Sequence, residues 1–388
     1  MPKLIRITTV PVSLKTLLKG QSRFMCENGF EVIGVSSNGE ELLDVHTDEG
    51  IRVVPLEMTR IISPFKDLVS LWKFYRLCRR ERPVIVHSHT PKAGLIGMLG
   101  AKMAGVPIRL HTVAGMPLME TSGLKRKILD IVEKLTYAAA TCVYPNSKKL
   151  YKFIVNERYA RPAKLKVIAN GSSNGINSSF FSRVKITDEV VHSLRRELGI
   201  SAEDFVFIFV GRLVGDKGIN ELIEAFQQIK GKFVKLLLVG ALESKLDPLK
   251  PESISAIDSN PNIISAGFQK DVRPFFAVAN VLVFPSYREG FPNVVMQAGA
   301  MELPAIVSNI NGCNEIIVEG ENGIIVPVKN VDAIQKAMDI MLINTELYLK
   351  MKENSRKMIT DRYEQQVVWE ALLDEYKRLL KEKGLNNV

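Results

Sequence analysis

Short β-branched and aliphatic runs alternate with stretches of helical period from one end of the chain to the other. In the first half the strand candidates are residues 4–8, 31–36, 51–55, 84–88, 108–112, 142–144 and 165–168. Amphipathic segments at 14–28, 65–81, 92–104 and 124–140 separate most of them. The series restarts with strands at 205–210, 234–239, 262–265, 281–284, 305–307 and 324–326 and helices at 219–228, 272–277, 294–301 and 331–342. Strand–helix–strand alternation at this spacing predicts right-handed βαβ units and parallel sheets. Two doubly wound α/β domains in tandem are therefore expected, with the seam in the turn-rich run from Asn170 to Ser179. The predicted division is 1–172 and 173–364, followed by 365–388 packing back toward the first domain. After Asn344 the pattern reads as one long packed helix, with Tyr363, Val367, Val368, Leu372 and Leu373 on its apolar side.

Composition narrows the picture. The 388 residues are 46% hydrophobic, 24% charged and 7% aromatic, which excludes disorder, collagen and coiled coil as the main architecture. The longest apolar run, 93–108, is broken by Lys102 and four glycines, too short to span a bilayer. Arg6 and Lys15 interrupt the N-terminal apolar stretch, and no small-residue cleavage site follows, so it reads as a first strand and not a signal peptide. A cytoplasmic location is expected. Cys26, Cys78, Cys142 and Cys313 lie far apart with no CxxC and read as buried reduced thiols.

Charge is unevenly spread. Residues 1–172 carry 27 Lys and Arg against 14 Asp and Glu, or +13, whereas 173–388 carry 25 against 28, or −3. Basic clusters at Arg76–Arg82 and Lys125–Lys127 flank amphipathic runs, the composition of helices that lie on an anionic surface. Arg79, Arg80, Lys125 and Arg126 are the candidate membrane contacts; a solvated helix face is the competing reading. Nucleic acid is not expected, because no binding signature accompanies the charge.

Two segments could carry chemistry. In Phe207-Ile-Phe-Val-Gly-Arg-Leu-Val-Gly-Asp-Lys-Gly218 a buried strand ends at Gly211, and Arg212 and Lys217 precede a helix. Two cations at the carboxyl end of a parallel strand, beside a helix N-terminus, suit a multiply charged phosphate. The P-loop spacing is absent. In Phe284-Pro-Ser-Tyr-Arg-Glu-Gly-Phe-Pro-Asn-Val-Val-Met-Gln297 a second strand stops before Glu289-Gly290 and a helix. Pro292 suits the first helical turn, leaving the amides of Asn293 and Val294 for an anion and the Glu289 carboxylate for sugar hydroxyls. Gln297 falls one turn on from Asn293, and Gly290 lets a ligand approach the backbone. Each segment alone also reads as an ordinary strand–turn–helix corner. His87 and His89 share a strand face, so metal ligation, cleft lining and a structural role are all open. No Asp-x-Asp occurs in the chain.

Together GRL-x2-DKG and, some seventy residues later, PS-x-REGFP-x4-Q resemble the retaining glycosyltransferases of family 4, whose GT-B fold sets two Rossmann-like domains across a cleft. Val84–His89, Arg109–Gly115, Val167–Gly171 and Asn311–Glu315 extend the likeness over the whole chain, in particular to bacterial members that extend lipid-linked surface-polysaccharide oligosaccharides. The resemblance implies that Arg212 and Lys217 clamp the donor diphosphate, that Glu289 binds the donor sugar with Gly290 and Phe291 lining its pocket, and that His111 sits at the reaction centre. Two departures stand out. The family's second motif acid is Gln297 here, which bears on donor selectivity. The loop from Val10 to Gly20 lacks the double glycine many relatives place under the diphosphate, leaving Ser13 or Lys15, with His89, as candidates facing the cleft.

The expectation is a metal-independent retaining hexosyltransferase that takes a UDP-sugar as donor and a lipid-linked glycan as acceptor. It would need no cofactor and would work at the inner face of the cell membrane. Within the same fold, a sugar-nucleotide 2-epimerase is the alternative; it would change the sugar of the donor with no acceptor present. A non-catalytic nucleotide-sugar-binding partner is a further one, which the intact Arg212, Lys217 and Glu289 set argues against.

Overall fold

The computed structural model describes residues 1–59, 63–116, 118, 121–243 and 247–385. The chain divides into one unit of Met1–Gly175 with Gln366–Val388 and a second of Ile176–Gln365.

The first unit is a six-stranded parallel sheet built from β1 (Lys3–Ile7), β2 (Glu31–Ser36), β3 (Arg52–Pro55), β4 (Ile85–Ser88), β5 (Ile108–Val113) and β6 (Cys142–Pro145), in the order β3-β2-β1-β4-β5-β6. Strand order reverses between β1 and β4, where Leu4 pairs with Ile85 and Ile7 with Ser88. A doubly wound sheet opens its ligand crevice at such a reversal, beyond the carboxyl ends of the strands. Ile5, Ile7, Val86 and Val143 are fully buried, as expected for a sheet covered on both faces.

The second unit repeats the plan with β7 (Phe205–Val210), β8 (Val234–Val239), β9 (Ile263–Gly267), β10 (Val281–Phe284), β11 (Ala305–Ser308) and β12 (Gly323–Val326), ordered β12-β11-β10-β7-β8-β9. Its reversal falls between β7 and β10, the two strands that carry the candidate phosphate and sugar motifs.

The structure corrects four expectations. Residues 165–168 form no strand; Leu165 makes one isolated bridge to Val143. The segment 14–28 is not one helix, and Val10–Gly20 is not a loop. Two short helices, Pro11–Leu17 and Gln21–Glu27, meet at Gly20. Pro11 starts the first, as its fixed φ allows. The tail is likewise two helices, Thr345–Tyr363 and Gln365–Glu382. They part at Glu364 because Ile176 bonds there instead, its amide donating to the Tyr363 carbonyl (2.8 Å) and its carbonyl accepting from Gln365 (3.0 Å). The last helix belongs to the first unit, where Tyr376 is buried.

Candidate active site

In the second unit the chain leaves β7 through Gly211 and Arg212 and makes a single 3-10 turn, Gly215–Lys217, before the helix Ile219–Gln227. Gly218 joins turn to helix at φ 71°, and a Cβ there would lie 2.2 Å from the Pro285 carbonyl oxygen. Only glycine lets the loop after β7 seat directly on the loop after β10. Backbone bonds fasten the seat: the Tyr287 amide donates to the Asp216 carbonyl at 2.9 Å. The Arg288 guanidinium pairs with the Asp216 carboxylate at 2.9 Å.

This contact brings Lys217 to Glu289. Lys217 Nζ donates to Glu289 Oε1, and Ser286 Oγ donates to the same oxygen at 3.1 Å. Both partners are largely covered, with side chains 16% and 18% exposed. Asn311 Nδ2 holds the following turn by donating to the Gly290 carbonyl at 2.6 Å. The pair is thus a cation from one motif and a carboxylate from the other at the carboxyl ends of adjacent strands. Arg212 stands further out, half exposed and paired with Glu243 at 3.1 Å.

The helix after the second motif is Asn293–Ala300, with Pro292 as its N-cap and not its first residue. Asn293 and Val294 lie in its first turn, where backbone amides have no intrahelical acceptor. Gln297 lies one turn on, half-buried. Phe291 turns its ring away from the loop surface. It is buried, edge-on to Tyr363 at 5.3 Å between ring centroids, so its ring packs into the core of the second unit. The sequence reading also missed Asp247, whose carboxylate accepts the Asp216 amide at 2.5 Å. No local signal marks an acid thirty residues downstream that braces a turn.

In the first unit, His111 lies inside β5 and is 2% exposed, with Nδ1 2.8 Å from Ser88 Oγ. A Cβ at Gly94 would touch its ring at 2.5 Å, so the helix Pro91–Met103 closes over it. Burial pulls its pKa down to about 4 and keeps it neutral. His111 therefore packs within its own domain, neutral and enclosed between Ser88 and the helix that carries Gly94. His87 spends both ring nitrogens, on Tyr376 at 2.6 Å and Thr112 at 2.8 Å. His89 is 4% exposed, and among the described residues neither ring nitrogen has a protein partner. It faces a cavity of about 20 Å3 lined also by Thr112, Tyr144, Asn146 and Ser172, room for a water that would satisfy it. Burial, then nearby positive charge, holds His87 and His89 well below the usual histidine range. Among the described residues no group of three or more His, Cys, Asp or Glu could hold a metal.

Lys15 pairs with Asp44 at 2.6 Å, and Ser13 lies half-buried on the same helix. Arg79, Arg80 and Lys125 are exposed. Arg126 is part-exposed and engaged: it pairs with Asp130 and Glu157, each at 2.9 Å, and donates to the Leu118 carbonyl at 2.8 Å. Two carboxylates already neutralise it.

Two parallel doubly wound units, with cation and carboxylate loops meeting at the reversal point of the second, define a GT-B glycosyltransferase. The Glycosyl transferase 4-like domain model matches residues 19–171, and the Glycosyl transferases group 1 model matches residues 191–358. The chain belongs to this family. It is 36% identical to the capsular polysaccharide biosynthesis glycosyltransferase CapM of Staphylococcus aureus, covering 98% of each chain. It is 28% identical to the UDP-Gal:alpha-D-GlcNAc-diphosphoundecaprenol alpha-1,3-galactosyltransferase of Escherichia coli, covering 92% of this chain and 93% of the other. Among solved structures it is similar to Anabaena HepE in complex with UDP, with a TM-score of 0.82, 18% identity, and coverage of 97% of this chain and 100% of that one.

Proposed function

We propose that this glycosyltransferase moves a hexose-type sugar from a UDP-sugar to a hydroxyl of a lipid-linked glycan, with retention and without a metal, in bacterial surface-polysaccharide assembly. The observation that carries the reading is the Lys217–Glu289 pair, which joins the phosphate motif to the sugar motif. The names of the S. aureus and E. coli relatives support the pathway, the donor nucleotide and the diphospholipid acceptor.

In this mechanism Arg212 and Lys217 hold the diphosphate and stabilise the charge that grows as it leaves. The bond from the sugar C1 to the β-phosphate oxygen breaks while the acceptor oxygen bonds to C1 on the same face. The acceptor proton passes to the departing phosphate, and the products are UDP and the extended glycan. Glu289 orients the donor through its sugar hydroxyls. A diphosphate arriving at Lys217 exchanges one anionic partner for another, so the cation need not be stripped bare. An enzyme with this acceptor works at the inner membrane face, where an anionic surface is its partner.

The test incubates the protein with UDP-sugars and a lipid-diphosphate saccharide in excess chelator and reads the anomeric configuration of the product by NMR. Transfer with the donor's configuration is expected. Inversion, or full dependence on added magnesium or manganese, would refute the mechanism. Conversion of the donor alone to its 2-epimer would replace transfer with isomerisation.

A further inference from the structure

Two helices of the first unit turn apolar stripes outward. On Pro64–Glu81, Phe65, Leu68, Val69 and Trp72 are exposed, Phe65 at 86% and Trp72 at 53%. On Gly123–Ala139, Leu124, Ile128, Ile131 and Leu135 are exposed, Leu124 at 75% and Ile131 at 58%. Both sets recur at the three- and four-residue steps of one helix face. A folded domain normally turns such a face inward.

The two helices share a neighbourhood. Both pack against the helix Pro91–Met103, one on each side. The three connect β3 to β4, β4 to β5 and β5 to β6, crossings that right-handedness puts on one face of the sheet. Each begins beyond a strand's carboxyl end, so Phe65 and Leu124, in their first turns, lie at the edge where the crevice opens.

Charge identifies the occupant. Lys66, Lys73, Arg79, Lys125, Lys127 and Lys134 lie exposed on the same two helices, and none forms a salt bridge among the described residues. The helices' own acids are engaged: Asp67 with Lys92 at 2.8 Å, Glu81 with Lys3 and Arg52, and Asp130 with Arg126. Glu133 is buried. Arg76 stacks on Trp72, 4.8 Å from its ring, joining the apolar half of the stripe to the basic half. Apolar residues rimmed by uncompensated cations, on a domain with a charge of +13, match an anionic bilayer.

We infer that these two stripes insert into the headgroup layer of an anionic membrane and hold the mouth of the first unit's crevice against it. This deepens the lipid-linked acceptor reading and depends on that reading for its purpose. Surface charge selects the membrane; the apolar stripes retain the protein there.

The test uses phosphatidylglycerol-rich vesicles and neutral phosphatidylcholine vesicles. Wild-type protein should sediment with the anionic ones. A fraction should stay bound in 1 M salt, where screening shortens to about 3 Å. Trp72 emission should shift to the blue and be quenched by brominated lipid, a signal absent from Trp72→Phe. Replacing Phe65, Trp72, Leu124 and Ile131 by Ser should abolish the salt-resistant fraction, each loss weakening partition by about tenfold. These positions are exposed, so folding should survive, checked by circular dichroism and by turnover on a short soluble acceptor. Complete release of wild type by salt, or unshifted Trp72 in the bound state, would overturn insertion. A concentration-dependent dimer abolished by the same serines would make the occupant a second copy of the chain and overturn it equally. Vesicle binding without transfer of any sugar would sink the functional reading and leave the surface standing.

Discussion

Gly218 gives the sharpest check on the site. Replacing it with Ala puts a Cβ at φ 71° and 2.2 Å from the Pro285 carbonyl oxygen. The left-handed conformation alone costs an L-residue roughly 1–2 kcal/mol. The overlap is with backbone, which cannot swing aside, and overpacking of that kind adds about 1–3 kcal/mol. Gly199 is the matched control in the same unit: φ is 65° and nothing lies within 4 Å of a Cβ. Its alanine variant carries the conformational cost without the collision. At about 2–4 °C per kcal/mol for a domain of this size, Gly199→Ala should lower the melting temperature by roughly 2–8 °C. Gly218→Ala should lower it by about 4–20 °C on the same scale, and always by more than the control. Only Gly218→Ala should also harm the donor, because relief of the clash pushes the Pro285 loop, and with it Glu289, away from Lys217. Differential scanning calorimetry with steady-state kinetics separates the two effects. The expected signature is a UDP-sugar KM at least tenfold higher for Gly218→Ala and unchanged for Gly199→Ala. Equal melting shifts with unchanged KM for both would mean the loop contact does not organise the donor site.

Other outcomes follow from the same geometry. Lys217→Ala should lower turnover by about two orders of magnitude, the usual loss for one preorganised donor, with far-UV circular dichroism unchanged; near-normal turnover would remove the phosphate clamp. Glu289→Gln should weaken the UDP-sugar in calorimetry while leaving UDP bound, and equal losses for both ligands would move Glu289 out of the sugar pocket. The first unit should be acid-labile. Burial raises the Glu375 pKa, but Arg378 and Lys166 outweigh it and hold the carboxyl at about 2. That stabilisation is full above the ordinary value of 4.5 and is lost as pH falls toward 2. His111 adds a loss that starts higher: its folded pKa is about 4, so stability declines from pH 6.5 downward by about 1.4 kcal/mol per pH unit. Glu375→Gln should flatten the urea-midpoint profile only below pH 4.5, and an unchanged profile there would contradict the ion-pair account.

Much of this was legible in the sequence because it is local. Strand and helix periods put β7 and β10, and their motifs, at the right places, and Arg212, Lys217 and Glu289 could be singled out from residue type and position after a strand. What escaped depends on distance in the chain. Phe291 sits beside Glu289 and Gly290, yet its ring turns inward because Tyr363 arrives from a helix seventy residues later. Arg126 reads as one cation of a basic triplet until Glu157 folds back onto it. His111 sits in a recognisable motif, but the Gly94 helix that covers it comes from the preceding crossover. The helix break at Glu364 has no proline or glycine to announce it; Ile176 supplies the competing hydrogen bonds. The exposed stripes are the converse case. Their periodicity is plain, but periodicity alone predicts burial, and only the fold shows that they stay exposed among the described residues.

The two units use the same architecture with opposite electrostatics. At the carboxyl edge of the first sheet the histidines are enclosed and neutral, and the charged Arg6 is fully buried, donating to Gln21 at 2.6 Å. At the same edge of the second sheet the charged groups are only partly covered and paired with one another. Within the proposed mechanism the diphosphate meets exchangeable cations there, because Lys217 and half-exposed Arg212 can each trade a carboxylate partner for phosphate. In the first sheet His111 is sealed and His87 is committed to Tyr376 and Thr112. Within the proposed mechanism that division has a chemical consequence. The proton of the acceptor hydroxyl must leave with a group the donor brings, and the departing β-phosphate oxygen is the one that gains basicity as the bond to C1 breaks. Front-face departure and proton capture are then one event, which ties retention of configuration to the same Lys217–Glu289 corner that binds the donor.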